Sequence, residues 1–381
     1  MKKSKIIKIN IIALSLMSVS QLASATPLFA CKTPVNTMVY NSSGCKAPTV
    51  EVYRRLDSRA SSKFNIVAPA LLPSVPTENI FSPASFWYKK IPVDAPLAVN
   101  SPALVQEFIN QKVKYYNNVT INTVNYAAPV HTVNAQVAPV KVGFNNCQNK
   151  SYVDGTFSKM LSDVPIPNNA MAAGGTDGEM AIYQPSTDTY WEMWKAQKNT
   201  TTGEWKACWG GRINNLSKSD GAFLKNYGTT ATGLPFIGGQ ITAEELSAGV
   251  IKHAIGIALV DTDASWVVSY PANRSDGYNP KNVPNRIAEG QRFRLDPTID
   301  VSKLNMTRVG KIVAKAAQDY GFIVWDKAGS VSLRAQNPST YTLMGKPNPY
   351  PALFEGKPAY AVLNGMPWDK LKFLPKDYGK P

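Results

Sequence analysis

The sequence predicts a mainly β protein, an antiparallel β-sandwich or jelly roll with a few peripheral helices. Three observations favour this class: short runs rich in Val, Ile, Thr and Tyr, turn residues between them, and few helical segments. With 381 residues, 44% of them hydrophobic and 18% charged, the chain is long enough to bury a substantial core. A doubly wound nucleotide-binding fold is disfavoured, because no Gly-rich phosphate loop follows a predicted strand.

The first 25 residues have the three parts of a secretory signal: a basic start, an apolar segment and the cleavage site Ala23-Ser24-Ala25. We therefore expect a protein that is secreted, periplasmic or held in the cell envelope, without a transmembrane segment. Leu28 to Cys31 loosely resembles a lipobox, which leaves a lipid anchor on Cys31 as an alternative. Removing the signal lowers the formal charge from +15 to +11, because it contains four lysines and no acid.

An even number of cysteines in an exported protein favours disulfides over metal ligation. Of the three possible pairings we predict Cys31 with Cys45 and Cys147 with Cys208. The chain has no CxxC motif and only two histidines, so a zinc site is disfavoured. No cofactor is predicted, and calcium stays open because the aspartates do not reproduce an EF-hand loop.

Four regions follow from the pattern along the chain. After the signal, residues 26–80 are predicted to be a small disulfide-tied segment with a Pro-rich linker. Residues 81–335 form the predicted β-sandwich domain. Residues 336–381 are rich in Pro and Lys and are predicted to be an irregular C-terminal wrap.

Three helices are predicted inside the domain. The first begins at Ser101-Pro102 and has its apolar residues on one face. A short one begins at the capping-box spacing of Thr242 and Glu245 and ends at Gly249. The third covers residues 302–320, and Gly321 stands at its end.

The clearest strands form a predicted three-stranded meander over residues 180–184, 190–196 and 205–209. A long Gly-rich loop is expected over residues 210–240, and loops of this length often contribute to function. Further strands are expected at residues 251–260 and in a hairpin that joins residues 322–325 to 331–333 around Gly329.

Several segments resemble one known group of proteins. They are Ser85 to Leu97, Val164 to Pro167, Asp177 to Trp194, Ala231 to Pro235, Ile251 to Gly256, Tyr270 to Ala272 and Gly290 to Pro297. Together they are similar to a widespread group of uncharacterised exported bacterial proteins over about residues 80–335. The resemblance implies export and a fold similar to a lectin or glucanase sandwich. It implies no catalytic residues.

The strand around Glu192 is the main candidate for a site. Alternation places Tyr190 and Trp194 on the face of Glu192, with Trp191 beside it, and aromatic rings next to a carboxylate are typical of sugar-binding sites. An ordinary half-buried strand fits equally well. Asp177 or Glu179 together with Glu192 would supply the two carboxyl groups of a glycosidase.

A polysaccharide lyase is the second catalytic hypothesis. It needs a cation near a uronate, a base and a phenol, and Arg212, His253 and Tyr270 are residues of these types. His253 alternates with isoleucines, so the alternative to a catalytic base is a core histidine that is hydrogen-bonded to the backbone.

We therefore expect a secreted protein that binds a polysaccharide or a cell-envelope glycan. Cleavage by a glycosidase or a lyase is one extension of this hypothesis, and the question of catalysis stays open. The alternative is a non-catalytic envelope or adhesion protein that binds a protein partner. Nucleic acid is not an expected partner, and the oligomeric state is not predicted.

Overall fold

The computed structural model describes residues 80–381 and, before them, the backbone of three short strands. The chain divides into two compact units, residues 1–69 and 70–381. In the first unit, β1 (Phe29–Lys32), β2 (Met38–Asn41) and β3 (Val50–Tyr53) form an antiparallel sheet in the order β2-β1-β3. The predicted signal and the predicted Cys31 to Cys45 disulfide lie outside the described residues.

The second unit contains the remaining helices and strands. Its helices are α1 (Ser101–Lys114), α2 (Gly155–Met160), α3 (Phe236–Gly239), α4 (Ala243–Ala248), α5 (Arg308–Asp319), α6 (Ser339–Thr342) and α7 (Tyr350–Leu353). Short 3-10 turns occur at Pro185–Thr187, Leu216–Lys218, Val301–Lys303, Ala359–Ala361 and Trp368–Lys370. Within the described part of the chain, no helix is long and apolar enough to cross a membrane.

The strands of this unit are short. They are β4 (Thr120–Asn122), β5 (Val130–Thr132), β6 (Val142–Phe144), β7 (Met180–Gln184), β8 (Thr189–Trp194), β9 (Gln197–Lys198), β10 (Trp205–Ala207), β11 (Trp209–Asn214), β12 (Ile255–Leu259), β13 (Arg292–Leu295), β14 (Phe322–Lys327), β15 (Ser332–Arg334) and β16 (Leu371–Phe373).

Three sheets arise from these strands, in the orders β6-β10-β9, β11-β8-β7-β5 and β16-β13-β14-β12-β15-β4. Each contains at least one parallel pair: β6 with β10, β5 with β7, and both β12 with β14 and β4 with β15. The prediction of a β-rich chain with few helices is confirmed. Its wholly antiparallel character is not, because parallel pairs such as β12 with β14 are joined by a crossover that contains α5.

The helix predictions are confirmed where the signals are local. Thr242 accepts a hydrogen bond from the Glu245 amide, Glu245 reaches back to the Thr242 amide, and Gly249 ends α4 at a φ of 82°. α1 begins at Ser101, although Asn100 rather than Ser101 is its N-cap. α5 buries Val309, among others, on its predicted apolar face, but it begins at Arg308 rather than at residue 302, where a 3-10 turn lies instead.

Two strand connections differ from the prediction. β10 leaves the predicted meander to pair with β6 and β9, and β11 pairs with β8 in its place. β14 and β15 are not a hairpin, because β12 lies between them and pairs with both. Residues 336–381 also differ from an irregular wrap, since β16 pairs with β13 at the sheet edge.

Two hydrophobic clusters fill the second unit. One lies under the four-stranded sheet and includes Ile182, Tyr190 and Trp325. The other lies against the six-stranded sheet, where Phe108 of α1 packs between Phe293 and Trp368 with ring centroids 5.8 and 5.4 Å apart. Because β14 supplies Ile323 and Trp325 to the first cluster and Phe322 to the second, it joins the two cores. The predicted disulfide between Cys147 and Cys208 is confirmed.

Candidate functional site

The hairpin of β7 and β8 brings two of the predicted carboxylates to one face of the sheet. Glu192 lies opposite Ala181 in the β7–β8 ladder, and Glu179 precedes Ala181 by two residues. Because side chains alternate along a strand, Glu179 and Glu192 emerge on the same face as diagonal neighbours. Trp191 emerges on the other face, opposite Arg212 of β11.

Glu192 is a buried carboxylate with every oxygen occupied. Its Oε1 accepts hydrogen bonds from the Tyr190 hydroxyl at 2.6 Å and from the Phe236 amide, and its Oε2 accepts one from the Thr229 hydroxyl at 2.6 Å. The side chain is 0% exposed. Burial raises the pKa of Glu192 to about 7, although these hydrogen bonds oppose the rise. Glu192 therefore fastens residues 229–236 to β8.

A second group of charges is centred on Arg334 of β15. The guanidinium is 3% exposed and donates from Nη1 to Glu179 Oε1 at 2.7 Å and from Nη2 to Asp326 Oδ2 at 2.9 Å. It lies over the rings of Phe236 and Trp325, with its carbon 4.9 and 5.8 Å from their centroids. One cation thus holds two carboxylates side by side.

Burial disfavours the charged form of both carboxylates. It raises the pKa of Asp326 to about 7, against the attraction of Arg334, and the charge of Glu179 adds to the rise. The pKa of Glu179 is raised for the same reason, and the charges of Asp177 and Glu192 act in the same direction. The sequence gives no sign of this coupling, because Arg334 and Glu179 are 155 residues apart.

Glu179 keeps one oxygen without a partner. Its side chain is 2% exposed, yet Oε2 makes no hydrogen bond to the described residues, and the buried Nε of Arg334 is also unpaired. Burial of a carboxylate oxygen without a hydrogen-bond donor lowers the free energy of unfolding, because the oxygen loses its hydration without compensation. Such a group in a folded protein calls for an explanation, and a ligand that donates a hydrogen bond is one.

More carboxylates surround this pair. Asp177 is half-buried and accepts a hydrogen bond from the Trp194 indole at 3.1 Å. Asp276 is exposed, and its amide donates to Oε2 of the buried Glu289 at 3.3 Å. Burial raises the pKa of Glu289 to about 8, and the charges of Asp276 and Asp326 add to it.

We call the following residues the carboxylate cluster. They are Asp177, Glu179, Asp276, Glu289 and Asp326, together with Arg334. Its buried members are Glu179, Glu289 and Arg334. Asp177 and Asp326 are partly exposed, and Asp276 is exposed. The cluster is assembled from the segment that precedes β7, from β14 and β15, and from the loop between β12 and β13, so no single stretch of sequence contains it.

The loop that contains residues 226–231 is attached to the cluster and is also held by a second arginine. Arg274 donates to the backbone oxygens of Asn226 at 2.6 Å, Gly228 at 3.0 Å and Thr230 at 2.6 Å. In the same loop, the Ala231 amide donates to Asp326 Oδ1 at 3.2 Å. The long Gly-rich loop expected from the sequence therefore begins only after β11 and is held in place by hydrogen bonds.

The residues of the lyase hypothesis are not brought together. Arg212 donates to Asp163 at 2.8 Å and to Asn214 at 2.7 Å, on the face of the sheet opposite Glu192. His253 is fully buried, with Nε2 3.0 Å from Glu245 and Nδ1 donating to the Ala254 oxygen at 2.8 Å. Burial disfavours the imidazolium, but Glu245 raises the pKa of His253 above its ordinary value. The backbone alternative for His253 therefore fits better than a cleft base.

Tyr270 makes its contacts with residues other than Arg212 and His253. Its ring meets Phe86 edge to face at 5.8 Å, and its amide donates to Asp377 at 2.7 Å. Tyr190 and Trp191 are buried, so neither presents a ring face to a sugar in solvent. Of the three predicted sugar-binding aromatics, only Trp194 is half-buried, and it contacts Asp177 of the carboxylate cluster.

Sequence reasoning missed Asp326, Arg334 and Glu289. A weak signal exists for Asp326, because it follows four apolar residues in β14, where a charged residue is expected to have a specific partner. Arg334 ends the three-residue strand β15 and has no such signal. Glu289 lies outside the regular elements and carries no pattern of its own. Over the described residues, no three side chains of His, Cys, Asp or Glu are arranged to hold a metal ion.

A separate cavity of about 240 Å³ opens between the end of α1 and residues 363–369. Lys112, Asn117 and Asp369 are among its lining residues, and none of the predicted site residues lines it. No family model, no curated protein and no solved structure matches this chain.

Proposed function

We propose that this protein is a secreted polysaccharide-binding protein that hydrolyses glycosidic bonds at the carboxylate cluster. The observation that carries the proposal is the pair of carboxylates on Arg334, of which Glu179 has a free buried oxygen. Glycosidases use two carboxyl groups, one as a general acid and one as a base or nucleophile. In the same proposal, the four- and six-stranded sheets stack as a sandwich, which is supported by the core that Trp325 and Tyr190 share.

The proposal gives each carboxyl group its own role. With a pKa of about 7, Asp326 is about half protonated at neutral pH and is suited to donate a proton to the leaving glycosidic oxygen. Glu179 is then the base that takes a proton from the attacking water, or the nucleophile at the anomeric carbon. Their separation is limited by one guanidinium and two hydrogen bonds, compatible with the range of about 5 to 9.5 Å in glycosidases.

The test uses Glu179→Gln and Asp326→Asn in the mature protein, with reducing ends measured on a panel of neutral and acidic polysaccharides. We expect each variant to lose about 10²- to 10⁴-fold of the rate, because each removes proton transfer. Asp326→Asn should also abolish the fall in rate above pH 7. Glu107→Gln is the matched control, since Glu107 also pairs with an arginine, Arg286, outside the cluster.

Absorbance of unsaturated products is followed in the same reactions. Unsaturated products would indicate a lyase and contradict the proposal, as would full activity of Glu179→Gln with an unchanged unfolding midpoint. The anomer formed first, read by NMR, distinguishes Glu179 as a base from Glu179 as a nucleophile.

A non-catalytic binding protein is the second candidate. The burial of His253 and the full hydrogen bonding of Glu192 favour it, because these two residues then serve stability alone. Binding of a partner without cleavage of any glycan in the panel would support this alternative.

A further inference from the structure

Two large aromatic residues stand exposed on the loop that contributes Asp276 to the carboxylate cluster. Trp266 is 78% exposed and Tyr278 is 73% exposed, whereas the other described tryptophans are buried or half-buried. An indole left in solvent is unusual, because burying it would contribute favourable hydrophobic free energy. Exposed aromatic residues that lie close together on a surface are typical of a binding site.

The loop is held by internal hydrogen bonds that join its two limbs. The side-chain amide of Asn279 donates to the Asp263 carboxylate at 3.1 Å. The backbone amide of Asp263 donates to the Ile287 backbone oxygen at 3.0 Å. Gly277 lies so close to the Asp263 oxygen that a Cβ would not fit there. The limb that contains Trp266 and the limb that contains Tyr278 are therefore fastened together.

The same loop is attached to the carboxylate cluster. The Asp276 amide donates to Glu289 Oε2 at 3.3 Å, and the Ser269 amide donates to the Glu289 oxygen at 2.9 Å. Tyr278 is two residues from Asp276, and Trp266 is three residues from Ser269. Exposed aromatics and carboxylates thus share one anchored loop.

The charges of the site restrict the ligand. The cluster contains five carboxylates, and both nearby arginines already have partners: Arg334 binds Glu179 and Asp326, and Arg274 binds three backbone oxygens. A uronate among five carboxylates would meet mainly like charge, which is unfavourable, and Lys327, whose Nζ donates to the Asp276 backbone oxygen at 3.4 Å, offsets only part of it. Sugar hydroxyls can donate to the carboxylates, and the apolar faces of sugar rings can pack on indole and phenol rings.

Resting on the proposed function, we propose that Trp266 and Tyr278 form a binding platform for a glycan without carboxylates, a neutral or N-acetylated polysaccharide. The platform holds the chain beside Asp276 and directs it to Glu179 and Asp326. In this proposal the sugar-binding surface is formed by Trp266 and Tyr278 and not by Tyr190 and Trp191, which are buried.

The experiment measures binding and cleavage separately. Trp266→Ala and Tyr278→Ala are made in the mature protein and in its Glu179→Gln variant, with Tyr360→Ala as control, because Tyr360 is 58% exposed and lies outside this loop. The probes are soluble β-glucan, xylan and chitin oligosaccharides, with polygalacturonate and alginate as acidic counterparts. Affinity electrophoresis gives binding, and reducing ends give kcat and KM.

We expect each alanine variant to weaken binding of one neutral glycan about three- to tenfold, to raise KM and to leave kcat nearly unchanged. Tyr360→Ala should match the parent. A protein that cleaves neutral glycans with the same KM in all three variants would overturn the platform while the proposed function stands.

Binding that depends on Trp266 without any cleavage would support the platform and contradict hydrolysis. Preference for polygalacturonate or alginate would overturn the ligand class. A protein that binds none of the five glycans would overturn both proposals.

Discussion

Glu192 and Glu179 stand on the same sheet face, yet their surroundings differ in one decisive respect. Glu192 has its oxygens filled by Tyr190, Thr229 and the Phe236 amide, whereas Glu179 shares Arg334 with Asp326 and keeps Oε2 unpaired. A saturated buried carboxylate holds a loop in place. An unsaturated one beside a buried cation retains the capacity to bind another donor, and for this reason we assign chemistry to Glu179 rather than to Glu192.

We expect the largest effect from Arg334→Met. It leaves Glu179 and Asp326 buried without their cation, and we expect a loss of about 3 to 5 kcal/mol in the free energy of unfolding at pH 8. The loss should be smaller at pH 5, because the pKa of Asp326, about 7, then favours the neutral acid. Urea denaturation at the two pH values checks both statements.

Arg212→Met is the matched control for that variant. Arg212 pairs with the exposed Asp163, so its removal should cost less than about 1 kcal/mol. Equal losses for the two variants would mean that the charge on Arg334 contributes no more than a surface ion pair.

The buried carboxyl groups should also make the free energy of unfolding depend on pH. Burial raises the pKa of Glu192 and Asp326 to about 7 and that of Glu289 to about 8, so the native state retains protons that the unfolded chain releases near pH 4. Their contribution is full below about pH 4 and is lost as the pH rises to about 8. We expect the free energy of unfolding to fall by about 1 to 3 kcal/mol for each group.

The variant Glu192→Gln isolates the saturated site. The side-chain amide of the variant can accept from Tyr190 and Phe236 and donate to Thr229, so the fold should persist. The variant side chain does not gain or lose a proton in this pH range. The free energy of unfolding, measured by urea denaturation between pH 4 and pH 8, should therefore fall less steeply with pH than in the parent. An unchanged slope would mean that Glu192 does not titrate in this window.

Among the buried groups, the smallest expected effect concerns a single hydroxyl. Thr229→Val removes one donor from Glu192 without changing the shape of the side chain, and we expect a loss of about 1 to 2 kcal/mol. Thr298→Val removes a similar hydrogen bond to Asp296 at the surface and should cost less. Thermal unfolding of both variants measures the difference, and a larger loss at Thr298 would contradict the importance of burial.

The parts of the fold that the sequence predicted correctly depend on neighbouring residues. The capping box of α4, the Gly249 stop and the hairpin turn at Pro185–Thr187 are set by residues that touch one another along the chain. Strand pairing was predicted less well. β10 and β15 are three residues each, and such short strands take partners according to the packing around them.

The sequence by itself determined helices α1, α4 and α5, strands β7, β8, β12 and β14, one disulfide, and the alternation that puts Glu192 on the face of Tyr190. Tertiary structure alone decided that Tyr190 donates a hydrogen bond to Glu192, that Arg334 pairs with Glu179 and that Trp266 is exposed to solvent. The physical reason is that turns, caps and alternation are local properties of the backbone. Burial and ion pairing depend on which distant strands pack together, and a buried charge acquires its chemistry only from those neighbours.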